Sequence, residues 1–116
     1  MFERLAGADF AYLTTNGRKS GRPHRIEIWF AIEDGVLYML SGGGDSADWV
    51  QNIKKDSQVR VQVGSRSAAA KARIVRGARE DQRARKLLDE KYMGWKAGKM
   101  LSSWARESTP VAVDLP

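Results

Sequence analysis

Phe10-Ala11-Tyr12-Leu13-Thr14-Thr15-Asn16-Gly17-Arg18-Lys19-Ser20-Gly21-Arg22-Pro23-His24-Arg25-Ile26-Glu27-Ile28-Trp29-Phe30 holds two strand-like runs on either side of a basic turn. Residues 10–15 are aromatic and β-branched and stop at Asn16-Gly17, a strong turn pair. Residues 24–32 predict a second strand, with Ile26, Ile28 and Phe30 alternating with Arg25, Glu27 and Trp29. Glu33-Asp34-Gly35 then turns the chain into a third run over residues 36–41. Three such runs in succession predict an antiparallel meander. Gly42-Gly43-Gly44 ends it, and Asp45 or Ser46 can cap a helix whose apolar face is Trp49, Val50 and Ile53.

Further on, residues 59–64 alternate cleanly and residues 68–75 form a partner strand across Ser65-Arg66-Ser67. Residues 80–93 place Ala84, Leu87, Leu88 and Tyr92 at helical spacing. Residues 94–103 read as irregular and residues 110–115 as a closing strand. Six short strands and two helices predict an α+β chain built on a small antiparallel barrel. With 116 residues the chain is long enough for one core, so residues 1–116 are expected to form a single domain.

Composition narrows the partners. Hydrophobic residues make up 42% and charged residues 29%, as in a globular protein, and the net charge is +6. That balance favours anionic ligands. Cysteine is absent and His24 is the single histidine, which argues against a disulfide framework, a metal site and a cysteine nucleophile. No apolar run approaches the roughly 20 residues of a membrane span, so no stable membrane anchor is expected. Residues 1–5 do not read as a leader, and the expected location is cytoplasmic.

The basic turn asks for more than turn chemistry. A turn needs glycine and polar residues; it does not need Arg18, Lys19, Arg22 and Arg25 together. Arginine offers planar bidentate forks, lysine a point charge, and glycine close approach of backbone N–H groups to a phosphate. Such a cluster is an anion clamp, or else a solvated basic hairpin. A second segment, Leu40-Ser41-Gly42-Gly43-Gly44-Asp45-Ser46, runs from strand through glycines to a helix start. It predicts a further oxyanion site, or a flat surface for a ring, or a plain connector. It is neither a nucleotide-hydrolase phosphate loop nor a Rossmann fingerprint, since the required spacing is missing.

Residues 13–23, with Ser41-Gly42-Gly43-Gly44, Trp49-Val50-Gln51-Asn52-Ile53 and the strand at 59–63, resemble the deazaflavin-dependent nitroreductase family. Its members are also described as coenzyme F-420-dependent quinone reductases. The resemblance covers about residues 12–115 and implies a split β-barrel like that of the flavin reductases and pyridoxamine-phosphate oxidases. It implies that Arg18, Lys19 and Ser20 hold the coenzyme phosphate and tail, with Arg22 and His24 nearby. It places Ser41, Gly42, Gly43 and Gly44 along the ring edge, and Trp49 and Asn52 in support. Two features depart from the family: glycine at position 42, where lysine is common, and a shorter loop from Ser41 to Trp49.

The implied reaction is hydride transfer from the reduced deazaflavin to a small quinone, enone or nitro acceptor, the cofactor carrying the hard chemistry. Ser41, Tyr92 and water are the candidate proton donors. Three other readings use the same features. A flavin mononucleotide-binding barrel would also use Arg18 and Lys19, and a non-catalytic deazaflavin carrier would use the same cleft without turnover. A nucleic-acid-binding barrel would want cations and aromatics on one face, but Glu27 interrupts the Arg25–Trp29 face, so nucleic acid is not the expected partner. Related barrels often dimerise, which admits a homodimer.

Overall fold

The computed structural model describes residues 2–116. Strict alternation seats the first strand, β1 (Ala11–Asn16): Ala11, Leu13 and Thr15 are buried while Tyr12, Thr14 and Asn16 are half-buried. The others are β2 (Pro23–Ile28), β3 (Ala31–Glu33), β4 (Val36–Ser41), β5 (Gln58–Val63), β6 (Arg66–Ile74) and β7 (Thr109–Asp114). They form one antiparallel sheet in the order β2-β1-β5-β6-β7-β4-β3, curled into a half-barrel. The helices are α1 (Asp48–Lys55), α2 (Ala78–Met93) and α3 (Ser103–Glu107).

The barrel interior is filled from inward positions, among them Leu13, Leu37, Met39, Val61, Val63, Val111 and Val113, all fully buried. A second cluster lies outside the sheet, where Tyr38, Leu40 and Ala112 pack against Ala84 and Leu88 of α2. β4 and β7 are therefore covered on both faces, which explains their unbroken apolar runs. Gly94 ends α2 in the left-handed conformation, φ 71°, and its N–H reaches the Asp89 carbonyl. Buried Asp89 then accepts from the backbone N–H and hydroxyl of Ser102, at 2.8 and 2.6 Å, and closes the 94–101 loop.

Three expectations from the sequence change. Residues 24–32 do not form one strand, and the meander is not made. β2 pairs with β1 and β3 pairs with β4, so the two halves of that run lie at opposite edges of the sheet. Trp29 and Phe30 carry the chain between them. Phe30 is fully buried, its N–H donates to the Tyr92 hydroxyl at 3.0 Å, and its carbonyl accepts from Lys91 Nζ at 3.0 Å. These bonds take the place of ladder pairing and break the strand, giving seven strands rather than six.

A third helix, α3, also forms. Ser102 caps it by accepting from the Ala105 N–H, and Arg85 donates to the carbonyls of Ala105, Arg106 and Ser108 at its other end. Finally, α1 is capped by neither Asp45 nor Ser46. Ala47 holds the cap position without a side-chain bond, while Asp45 pairs with Lys54 and accepts from Thr109, and Ser46 donates to the Gly43 carbonyl.

Arg73 ties α2 to the sheet, pairing with Glu80 at 2.7 Å and Asp114 at 2.9 Å. The guanidinium, helped by the Tyr38 hydroxyl donating at 2.8 Å, holds the Glu80 carboxyl down to about 2. A depressed folded-state value means the stabilisation is complete above the ordinary 4.5 and is lost as pH falls toward about 2. Urea melts of wild type and Glu80→Gln between pH 6 and 2 should therefore converge as the pH falls. Tyr92→Phe removes the acceptor for the Phe30 N–H and should destabilise by about 1–3 kcal/mol in the same assay at pH 7.

Candidate functional site

The basic turn folds onto α1 through one buried side chain. Asn52, 3% exposed, donates from Nδ2 to Thr15 Oγ1 at 3.0 Å. Its Oδ1 accepts from the Arg18 backbone N–H at 3.1 Å and from Arg18 Nη1 at 3.0 Å. Arg18 Nη2 completes the latch on Asp48 at 3.1 Å. The turn is thus fixed at its root by a satisfied amide, and its tip is closed by backbone bonds between Gly17 and Arg22 and between Gly21 and Gly17, each 2.8 Å.

Gly17 has a steric reason to be glycine. A Cβ there would stand 2.6 Å from His24 Nε2 and 2.9 Å from Ser20 Oγ, so the imidazole lies flat against bare backbone. The result is an open cleft of about 240 Å³ lined by Gly17, Arg18, Lys19, Ser20, His24, Asp48 and Asn52. Five residues singled out from the sequence (Arg18, Lys19, Ser20, His24 and Asn52) meet there. Arg22 lies outside this lining, on the exposed end of the turn, where its N–H donates to Ser20 Oγ at 3.1 Å.

The glycine segment sits elsewhere. Ser41 is buried and its hydroxyl donates to the Gly44 carbonyl at 2.9 Å, which holds the loop closed. Gly42 and Gly43 are exposed, and a Cβ at Gly42 would meet nothing within 4 Å. This loop joins β4 to α1, so it runs between the cationic cleft and a second, aromatic one. Trp49 is half-buried and packs on the barrel core. Tyr92 is not an open proton donor: its hydroxyl accepts from Phe30 N–H and shares its proton between the Asp9 and Phe30 carbonyls, at 2.9 and 3.0 Å. Burial pushes that phenol up from its ordinary value.

The aromatic cleft is a product of the topology. β3 covers only Val36–Tyr38 of β4, and β2 is an edge strand, so a slot opens between β2 and the upper end of β4. Glu27, Ile28, Trp29, Leu40 and Trp104 line it, enclosing about 260 Å³. Trp29 is 43% exposed, stacks flat on Tyr92 at 4.3 Å and meets Trp104 edge-on at 5.4 Å. The alternation of residues 25–29 marks Glu27 and Trp29 as outward-facing, but nothing in the sequence shows that Trp104 and Leu40 complete a slot with them. Asp48 and Thr15, which fix Arg18 and Asn52, are equally silent in the sequence.

A larger cavity, about 580 Å³, lies between the β3–β4 hairpin and α2, lined by Glu33, Tyr38, Glu80 and Arg83 among others. Of its charges, Arg83 binds Glu33 through two 2.7 Å bonds and Glu80 binds Arg73 of β6, while Asp34, Arg79 and Lys86 also line it. The pair of clefts along β2 offers cations at one end and aromatic surface at the other. Asn52→Ala, which strands the Arg18 N–H and the Thr15 hydroxyl, should cost about 1–3 kcal/mol in chemical denaturation. It should also make residues 17–22 the first site of limited proteolysis.

Known proteins bear out the fold. The chain is similar to the structure of an F420-H2 dependent reductase, at 24% identity and TM-score 0.69, over 90% of this chain and 93% of that one. It is similar to a conserved hypothetical protein from Mycobacterium tuberculosis, at 20% identity and TM-score 0.79, over 95% and 74%. It is also similar to a candidate pyridoxamine 5′-phosphate oxidase from Listeria innocua, at 14% identity and TM-score 0.71, over 97% and 87%. These likenesses establish a split barrel. No curated protein matches the chain. The family model for F420H(2)-dependent quinone reductases matches residues 1–116, and the chain belongs to that family of F420-dependent oxidoreductases.

Proposed function

We propose that this protein reduces a small quinone with reduced F420, binding the cofactor along β2 with its phosphate end in the cationic cleft and its ring toward the aromatic slot. One observation carries the reading: a single edge strand lines both clefts. His24 belongs to the cationic lining and Glu27 to the aromatic one, three residues or about 10 Å apart at the rise of a strand and on opposite faces of it. A ligand that reaches both therefore passes over the β2 edge. A polyanionic tail and a neutral planar ring need that separation of charge from aromatic surface.

In this reading Lys19 and Ser20 contact the phosphate, Arg18 is held toward it by Asn52, and Arg22 on the outer turn meets the oligoglutamate tail. Ser41, Gly42, Gly43 and Gly44 follow the ring edge; the open space at Gly42 suits a flat ring close to the backbone. Trp49 and Asn52 act from behind by fixing α1. When bound, reduced F420 supplies a hydride. Trp29 and Trp104 orient the acceptor ring and exclude water from one of its faces. Quinone reduction to quinol takes that hydride and one proton. Ser41 and Tyr92 both have their hydroxyl protons engaged by carbonyls, so solvent at the open slot supplies it.

The test is a titration with oxidised F420 and, separately, flavin mononucleotide, followed by tryptophan fluorescence, and then turnover with a naphthoquinone. Tight F420 binding, weak flavin binding and quinone-dependent oxidation of F420H2 are expected. A preference for flavin would overturn the cofactor placement, and binding without turnover would leave a carrier. Lys19→Ala should weaken F420 binding about tenfold at low salt, with the deficit shrinking as ionic strength rises.

A further inference from the structure

The two clefts carry opposite charge character. The cationic one holds Arg18, paired with Asp48, together with Lys19 and His24, whereas the aromatic slot holds one ionisable group, the Glu27 carboxylate. This contrast is unexpected in a chain of net charge +6. Glu27 forms no ion pair among the described residues. The nearest candidate on its strand, Arg25, is instead stacked over the Tyr12 ring at 3.8 Å. The carboxylate is exposed at the slot, facing the surface offered by Trp29, Trp104 and Leu40.

We infer that Glu27 selects the charge of the acceptor: the slot admits neutral quinones and rejects anionic ones. The inference rests on the quinone reading above and deepens it by naming the substrate class. A like charge at the rim of a low-dielectric aromatic wall raises the free energy of an anionic ring there, while a neutral ring is indifferent to it. The overall positive charge draws in anions from every direction, and without a local carboxylate the slot would collect them. With Glu27 the two ends of the strand sort their ligands: the polyanionic cofactor goes to Arg18 and Lys19, and the uncharged acceptor goes to Trp29 and Trp104. The same carboxylate can accept a hydrogen bond from the hydroxyl of the quinol as it forms.

The experiment compares kcat/KM for 1,4-naphthoquinone with that for its sulfonate, using F420H2 and either wild type, Glu27→Gln or Glu27→Lys. Glu27→Gln should raise the sulfonate-to-neutral ratio about five- to tenfold at low salt, and Glu27→Lys should raise it further. The gap between the wild-type and Glu27→Gln ratios should close as salt is added, because the attraction of the overall positive charge is common to both proteins. A ratio that is the same in all three proteins at low salt, or a gap between them that salt does not close, overturns the role of Glu27 and leaves the reductase reading intact. If wild type binds F420 but reduces neither quinone, the acceptor reading falls, and this inference falls with it.

Discussion

The crossing at Trp29 and Phe30 is the constraint on which the remaining architecture depends. An antiparallel strand that continued through residues 24–32 would keep the chain on one edge of the sheet. Instead the Phe30 N–H and C=O are taken by side chains of α2, Tyr92 and Lys91, and the chain is released to the opposite edge. Burying the Phe30 ring at 0% exposure secures the crossing from within, and the Lys91 ammonium lies over that ring at 3.8 Å. Desolvation lowers the Lys91 pKa, so the residue tolerates its site through the carbonyls of Ala6 and Phe30 and that aromatic face. The chain folds as a barrel that is split, rather than closed, because of this one interruption.

The split then decides where chemistry can occur. A closed small barrel is filled by its own side chains and offers ligands only its rim. Here β3 is three residues long and stops short of Met39, leaving the upper part of β4 without a partner on that side. Aromatic side chains from β2's end and from α3 fill the gap only partly. The site therefore arises where hydrogen-bonding between strands fails, and its walls come from elements far apart in sequence. The cationic cleft has a different origin. It is local to the turn after β1, made rigid by a single amide reaching across from α1.

Those origins explain what could be read from the sequence. The turn residues Arg18, Lys19, Ser20 and His24 are close together in the chain, and a cluster of cations with glycines is conspicuous by composition alone. The strands at 11–16, 58–63 and 109–114 follow from alternation or apolar runs. By contrast, the break at Trp29–Phe30 is invisible to periodicity, since the alternation of Ile26, Ile28 and Phe30 runs straight through it. What overrides the pattern is the Tyr92 hydroxyl, 62 residues away. Helix α3 is missed because five residues carry too little periodic signal, and its stability comes from Ser102 and Arg85 rather than from its own sequence. The family resemblance names Asn52 as a support of the site, but its bonds to Thr15 and Arg18 are not legible, since an asparagine in an amphipathic helix has no signature that distinguishes a solvated amide from a buried one.

Rigidity at the cationic cleft has a consequence for binding. Arginine and lysine side chains lose rotamer freedom when they grip an anion, which subtracts from affinity. Arg18 has lost that freedom in advance, because its backbone N–H and two guanidinium nitrogens are already placed by Asn52 and Asp48. Lys19, next to it, is exposed and has no such brace among the described residues, while the Ser20 hydroxyl is held by the Arg22 N–H. The cleft thus combines one cation already placed by its neighbours with an exposed one. Asp48 balances the Arg18 charge, and Lys19 has no ion pair among the described residues. The aromatic slot is organised on the same principle, with the Trp29 ring held flat against Tyr92, so each end of β2 has one side chain ordered by its neighbours.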